Sequence, residues 1–121
     1  LASLFYAEDL MDEPFVCCYS DVLLSRNIVQ QVQQSPADIA LGVDTEWLVR
    51  YEHRSEHPSD DAEKVIVENG RMTRIHRDIP EPQAHGEFIG LAKFSVADPP
   101  VFFTAHWLLS KLSLPPLVLS I

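Results

Sequence analysis

The chain has 121 residues, which suits one small domain or part of a larger one. Its 18 acidic and 9 basic side chains give a net charge of −9 at pH 7, and a surface of that sign repels phosphate backbones. The composition therefore argues against binding of a nucleic acid polymer. Small phosphorylated ligands stay compatible with it, because a divalent metal neutralises their charge locally.

The first half of the chain predicts a strand, a helix and a second strand. Residues 3–11 have the pattern of a helix end, which Pro14 terminates. The apolar run 15–19 predicts a buried strand that ends at Ser20-Asp21. Ser25 is the expected cap of a helix that extends to about residue 34, and residues 38–43 form the next strand. This order is typical of a βαβ unit, which implies a right-handed crossover and a parallel pair of strands.

The middle of the chain predicts a section of antiparallel strands. Residues 51–62 are polar without an apolar period and indicate a surface loop. Two strand-like runs, 63–68 and 71–75, flank Asn69-Gly70, a dipeptide that supplies the two positive-φ positions of a tight hairpin turn. A further strand is expected over 86–94. Parallel and antiparallel pairs together predict a mixed sheet.

The last 25 residues differ in character from the rest of the chain. Asp98 and Lys111 are the only full charges in the segment 97–121, which is rich in leucine and aromatic side chains. Lys111 and Pro115-Pro116 interrupt the apolar run below the roughly 20 residues that a membrane span needs. We therefore expect no membrane insertion, and two interpretations stay open: a short core helix, or an apolar tail foreign to the domain.

Two groups of acidic residues are candidates for chemistry. Asp21 follows a buried strand, at the carboxyl edge where open α/β sheets bind ligands, and a carboxylate there can hold Mg²⁺ or simply cap a turn. The run Asp60-Asp61-Ala62-Glu63-Lys64 fits either a metal or phosphate site or an ordinary solvated loop. The chain contains no nucleophile elbow, Walker loop or dinucleotide fingerprint. His53 and His57 have zinc-protease spacing, but their segment ends at Pro58 and lacks a helical pattern, so we expect no zinc site.

Several blocks of the sequence carry a resemblance to a known superfamily. These blocks are Tyr19-Ser20-Asp21, Asp61-Ala62-Glu63-Lys64-Val65, residues 70–79, and Ala84 to Ser95 with its Gly-Glu-Phe-Ile-Gly-Leu core. In this order and spacing they resemble the sugar-phosphate nucleotidyltransferases. The likeness is strongest to choline-phosphate and 2-aminoethylphosphonate cytidylyltransferase-like domains, including those fused to phosphoenolpyruvate mutase. It covers about residues 1–96.

The resemblance implies a fold and an activity. The fold would be a Rossmann-like α/β domain with a mixed sheet over residues 1–96, incomplete at both ends, followed by the tail 97–121. The activity would be transfer of a nucleotidyl group from CTP or a similar nucleoside triphosphate to a phosphate or phosphonate, with release of pyrophosphate. By resemblance, Asp21 would be one of two carboxylates that bind Mg²⁺. Glu87 would face the acceptor, Lys64 would contact a phosphate, and Arg77 would stand where relatives often carry a lysine.

The resemblance also has gaps, which leave the activity of the chain alone open. Nothing here corresponds to the family's glycine-rich loop ending in Pro-Lys, and the second metal carboxylate would fall in the unrelated tail. We expect the chain by itself to be an internal fragment that is inactive. The alternative is a non-catalytic module that binds a partner or assembles as a homodimer through an exposed sheet edge. The adjacent Cys17 and Cys18 favour free thiols and a cytoplasmic location.

Overall fold

The computed structural model describes residues 6–7, 11–52, 54, 56 and 58–95, and the backbone of 117–120. Within these described residues, two helices, α1 and α2, lie among six strands. In chain order the elements are β1 (Phe15–Cys18), α1 (Arg26–Gln34), β2 (Ile39–Asp44), α2 (Trp47–Tyr51), β3 (Lys64–Glu68), β4 (Arg71–Ile75), β5 (Gly86–Phe94) and β6 (Leu117–Ser120). Short 3₁₀ turns at Ser59–Asp61 and Glu81–Gln83 precede β3 and β5.

Strand β5 organises the sheet. It pairs antiparallel with β1, β2 and the start of β3. Strand β2 also pairs in parallel with β6, and β3 and β4 form an antiparallel hairpin. The described residues therefore build an open, mostly antiparallel mixed sheet, and the predicted mixed α/β fold is confirmed.

The predicted parallel pairing of the first two strands is wrong. Strands β1 and β2 run in the same direction, because both are antiparallel to β5, but β5 lies between them. Phe94 of β5 is in register with both Phe15 and Ile39. Leu91, Ala92 and Phe94 are buried in β5, which suits a central strand. Strand β5 begins 42 residues after the end of β2 and still takes the central place, since burial and not chain order decides it.

The structure confirms the predicted hairpin turn and the predicted helix cap. Asn69 has φ +53° and Gly70 has φ +74°, the left-handed pair that a tight hairpin between β3 and β4 requires. The Ser25 side chain accepts a hydrogen bond from the Ile28 amide at 3.4 Å and caps α1, which ends at Gln34. Lys93 ties the far end of this helix to the sheet by donating to the Ser35 carbonyl at 2.7 Å.

The apolar core lies on both faces of the sheet. One cluster contains the side chains of Leu41, Val43, Val65, Met72, Ala92 and Phe94. The other contains Val32, Ala40 and Leu91, with Ile28 and Leu24 packed against it. Helix α1 thus covers the second face, with the fully buried Val32 as its anchor. This packing places the start of α1 next to the carboxyl ends of β1 and β2, where the candidate site lies.

Two glycines of β5 shape the edge of the sheet near that site. Gly90 has φ +75°, and the register between β2 and β5 shifts opposite it, between Leu41 and Val43. Gly86 is buried where β5 meets the end of β2, and a Cβ there would lie 2.7 Å from the Asp44 carbonyl oxygen. Both positions require glycine, one for its backbone conformation and one for the close approach.

Two regions of the sequence prediction fall largely outside the described residues. The helix expected over 3–11 lies there, and so does the segment 97–121 apart from its last strand. The backbone of 117–120 forms β6, so a short helix is not what these four residues adopt. Within the described part of the chain, no helix is both long and apolar enough to cross a membrane.

Candidate functional site

A cleft of about 650 Å³ opens at the carboxyl ends of β1 and β2, beside the start of β5. Its charged lining consists of the carboxylates Asp44, Asp61, Glu63 and Glu87 and the arginines Arg50, Arg54 and Arg77. Tyr19, Phe88 and a group of aliphatic side chains from 22–28 provide the apolar part. A concave site with apolar walls and convergent polar groups is the usual form of a small-molecule site.

Glu63 is held at the cleft by its neighbours on two strands. Its carboxylate accepts a hydrogen bond from the Tyr19 hydroxyl at 2.8 Å, and its backbone carbonyl accepts one from the Phe88 amide at 2.9 Å. The Tyr19 ring in turn lies edge-on to Phe88, with centroids 5.9 Å apart. The end of β1, the start of β3 and the start of β5 therefore meet at this carboxylate.

Glu87 is held in a similar way from the other side of the cleft. It accepts a hydrogen bond from the Tyr51 hydroxyl at 2.7 Å, which joins β5 to the last residue of α2. The Arg54 guanidinium lies 4.6 Å from the centre of the Tyr51 ring. Predicted from the resemblance alone as an acceptor contact, Glu87 thus lies in the cleft with a restrained carboxylate.

Asp44 connects the end of β2 to helix α2. It is buried, and its carboxylate accepts the Glu46 amide at 2.9 Å and forms an ion pair with Arg50. In the sheet it is the register partner of Glu87. A buried carboxylate is stable only when such donors satisfy it, so Asp44 both starts α2 and places Arg50 at the rim of the cleft.

The two tyrosines that donate to these carboxylates have raised pKa values. Burial, and then the hydrogen bond to Glu63, raise the pKa of Tyr19 to about 12. Burial and the hydrogen bond to Glu87 likewise raise the pKa of Tyr51 to about 12. Both phenols therefore stay protonated donors throughout the neutral range, because loss of the proton would set two negative charges against each other.

Asp21 lies in the turn that follows β1, exposed to solvent, next in sequence to the cleft residue Val22. Among the described residues no group of three or more histidine, cysteine, aspartate or glutamate side chains could hold a metal ion. Mg²⁺ is commonly bound by one or two carboxylates plus water and substrate phosphates, so the donor type of Asp21 fits that ion. Its role as a magnesium ligand stays a prediction.

Lys64 and Arg77 differ sharply in accessibility. Lys64 is 2% exposed, pairs with Glu87 in the sheet and donates from Nζ to the Ser59 carbonyl at 3.3 Å. Arg77 is exposed, lines the cleft and lies close enough to Tyr19 to lower the pKa of that phenol in part. Of the two predicted phosphate contacts, Arg77 has the guanidinium within reach of a ligand. Lys64 instead contacts the 3₁₀ turn that carries Asp61.

The acidic run from Asp60 to Lys64 is only partly the solvated loop considered from its sequence. Asp60 is exposed, but Ala62 and Lys64 are buried. Asp61 and Glu63 line the cleft. Asp60 and Asp61 belong to the 3₁₀ turn Ser59–Asp61, and Lys64 begins β3.

Comparison with known proteins places this geometry in context. The chain is 25% identical over 100 residues to CTP:phosphoglutamine cytidylyltransferase of Campylobacter jejuni, a match that covers 77% of the chain and 40% of that protein. The solved structure of the inositol-1-phosphate CTP transferase from T. maritima superposes with a TM-score of 0.64 at 17% identity, over 98% of this chain and 50% of that one. No protein-family model matches.

The resemblance to a cytidylyltransferase-like nucleotidyltransferase domain is confirmed. The chain spans about 40% of the curated relative and half of the structural neighbour, so the likeness covers part of such a domain. The relatives are named for acceptors other than choline phosphate and 2-aminoethylphosphonate. The acceptor, the boundary at residue 96, the homodimer and the cytoplasmic location stay predictions.

Sequence reasoning did not single out four residues that the fold brings into the site: Asp44, Arg50, Tyr51 and Tyr19 as a donor to Glu63. For Asp44 a signal was available, because it follows an apolar strand as Asp21 does. The tyrosine contacts had no such signal. Tyr19 and Glu63 lie 44 positions apart, and only the sheet brings them together.

Proposed function

We propose that the chain provides the acceptor side of a nucleotidyl transfer from CTP, or a similar nucleoside triphosphate, to a small phosphate or phosphonate. The observation that carries the proposal is one cleft that contains both an exposed guanidinium, Arg77, and a restrained carboxylate, Glu87. A guanidinium suits a phosphate or phosphonate oxygen pair, and a carboxylate suits a cationic group elsewhere on the acceptor. The similarity to cytidylyltransferases supports the choice of reaction.

The proposed roles follow from where each group lies. Arg77 contacts the acceptor's phosphate, and Glu87 contacts its polar remainder. Lys64, which is buried beside Glu87, supports this side of the cleft and adds positive charge beneath it. Asp21 would hold Mg²⁺, which supplies neutralisation of the nucleotide's phosphates when bound.

The electrostatics explain why such a cleft needs its arginines. When an acceptor phosphate oxygen attacks the α-phosphorus of a nucleotide, several negative charges approach one another. The chain has a net charge of −9, so an anionic acceptor would be repelled by most of the surface. Arg50, Arg54 and Arg77 bring three guanidinium groups to the cleft. Three of its four carboxylates, Asp44, Glu63 and Glu87, are already engaged with tyrosine or arginine donors.

Calorimetric titration of the chain with phosphocholine and with 2-aminoethylphosphonate tests the proposal, because binding is read separately from turnover. We expect a millimolar or tighter dissociation constant for one acceptor and weaker binding of choline or ethanolamine, which lack the phosphorus group. Arg77→Ala should weaken acceptor binding about 10-fold or more, the value of one charge-assisted phosphate contact. Arg74→Ala, an exposed arginine of β4 outside the cleft, is the charge-matched control.

A second measurement addresses the reaction itself. Pyrophosphate release from CTP is followed with each acceptor and Mg²⁺, and any nucleotide product is identified by mass spectrometry. We expect no turnover by the chain alone, and robust turnover would contradict the expectation that it is an inactive fragment. Acceptor binding that does not depend on the phosphorus group, or that is equally affected by Arg77→Ala and Arg74→Ala, would contradict the proposal.

A further inference from the structure

The Tyr51 hydroxyl makes a short, well-placed contact inside the cleft. It donates to Oε1 of Glu87 at 2.7 Å, across 36 positions of sequence. Tyr51 is the last residue of α2, and Glu87 is the second residue of β5. The contact therefore joins two separate elements at a carboxylate that faces the cleft.

Contacts along helix α2 hold it in place, so the direction of the Tyr51 hydroxyl is fixed. Its first residue, Trp47, is buried and 2% exposed, and its ring lies edge-on to Tyr51 at 5.9 Å. Asp44 holds both the Glu46 amide at the helix start and the Arg50 side chain in its last turn. Arg54 contacts the Tyr51 ring as well, so the phenol is constrained by the helix and by two side chains.

We propose that Tyr51 is a positioning residue that orients the Glu87 carboxylate for the acceptor, an inference that rests on the function proposed above. The hydroxyl occupies one carboxylate oxygen and directs the other toward the cationic group of the bound acceptor. A glutamate side chain is otherwise free to rotate about its last bonds and would lose that freedom on binding. Restraint before binding removes this cost, which is how a preorganised site gains affinity.

The contact also keeps Tyr51 protonated over the neutral range of pH. Burial and the hydrogen bond to Glu87 raise the pKa of the phenol to about 12, so the donor stays intact. Glu63 and Tyr19 form a comparable pair at the cleft. The two pairs differ in their support. The Tyr19 ring packs against Gly90, whereas the Tyr51 hydroxyl belongs to a helix that also carries a charged cleft residue, Arg50.

A double-mutant cycle tests the proposal in the 121-residue chain. Tyr51→Phe keeps the ring and its contacts with Trp47 and Arg54 but removes the hydroxyl. We expect the dissociation constant for phosphocholine or 2-aminoethylphosphonate, whichever binds, to rise about 3- to 10-fold. In the Glu87→Ala background the same change should have an effect of less than about 2-fold, because no carboxylate is left for the hydroxyl to orient. Tyr6→Phe, at a tyrosine that is 93% exposed, is the control.

A spectroscopic readout separates positioning from a merely structural role. The Tyr51 phenol is titrated by absorbance in a variant that lacks Tyr19, and Glu87→Gln should lower its pKa below about 12, because the charge of the carboxylate is removed while the burial of the phenol stays. Circular dichroism confirms that each variant is folded.

The outcomes are distinct. The inference is supported if Tyr51→Phe weakens acceptor binding only when Glu87 is present, and if Glu87→Gln lowers the pKa of the Tyr51 phenol. Acceptor binding that Tyr51→Phe leaves unchanged, or that falls equally with and without Glu87, overturns the inference while the proposed function stands. Failure of the wild-type chain to bind either acceptor overturns the proposed function, and the inference with it.

Discussion

The ring of Tyr19 lies so close to Gly90 that no other residue fits there. A Cβ built on Gly90 would lie 2.3 Å from the Cδ2 atom of Tyr19 and 2.6 Å from its Cγ atom. The Tyr19 amide also donates to the Gly90 carbonyl at 2.9 Å. The irregularity of β5 at Gly90 therefore supports the tyrosine that holds Glu63 in the cleft.

Gly90→Ala should destabilise the fold and disturb the cleft. The added methyl group meets the Tyr19 ring, and φ at +75° is strained for any residue with a side chain. We expect a loss of about 2–4 kcal/mol in the free energy of unfolding, measured by urea denaturation. Gly70→Ala is the matched control, since φ there is +74° but no atom lies within 4 Å, and it should cost only about 1 kcal/mol. Equal losses at the two glycines would contradict the role of the Tyr19 contact.

Asp44 should be important for stability through its two donors. Asp44→Ala removes the acceptor of the Glu46 amide and of Arg50 from a buried position, and we expect a loss of about 2–3 kcal/mol. Asp44→Asn keeps an oxygen for the Glu46 amide and should lower the free energy of unfolding less. Arg50→Glu reverses the charge of an exposed partner but leaves that amide bonded. Denaturation midpoints of the variants rank these losses. A larger loss for Asn than for Ala would rule out the explanation through the Glu46 amide.

High pH should weaken the fold through Tyr19 and Tyr51. The pKa of each phenol rises from 10.0 in the unfolded chain to about 12 in the folded one. The folded state thus binds these protons more tightly, so their contribution is complete below pH 10 and is lost as the pH rises through about 12. Urea denaturation below pH 10 and again near pH 12 measures the slope.

A double variant with both Tyr19→Phe and Tyr51→Phe lacks the two hydroxyls and so isolates their contribution to stability at high pH. Its stability should fall less steeply with pH than that of the wild type, whereas Tyr6→Phe should leave the slope unchanged. An identical slope in the double variant would show that other groups cause the alkaline loss.

Asp21→Ala should remove magnesium-dependent nucleotide binding without loss of stability. The side chain lies in an exposed turn, so the free energy of unfolding should change by no more than about 0.5 kcal/mol. Titration with CTP in the presence and absence of Mg²⁺ gives the metal-dependent part of the affinity, which we expect to be lost. Asp12→Ala, at an exposed aspartate before β1, controls for charge. Metal-dependent binding that survives Asp21→Ala would show that Mg²⁺ has other ligands.

Local features of the sequence predicted most of the elements. The Asn69-Gly70 turn, the Ser25 cap and strand β5 from Gly86 to Phe94 all lie where the pattern placed them. Each of these signals depends on a few neighbouring residues, whose backbone preferences and side-chain caps act over short range. The resemblance that pointed to Glu87 and Arg77 likewise came from short blocks of sequence.

The sequence by itself determined the elements, the acidic surface and the cytidylyltransferase-like blocks, because these depend on residue type and spacing. Only the tertiary structure decided that β5 separates β1 from β2 and that Tyr19 and Tyr51 hold the two glutamates of the cleft. These contacts join residues that lie 36 and 44 positions apart. The physical reason is that strand order follows the burial of whole strands in a shared core. Once β5 occupies the centre, Glu87 lies beside Asp44 and the cleft forms around them.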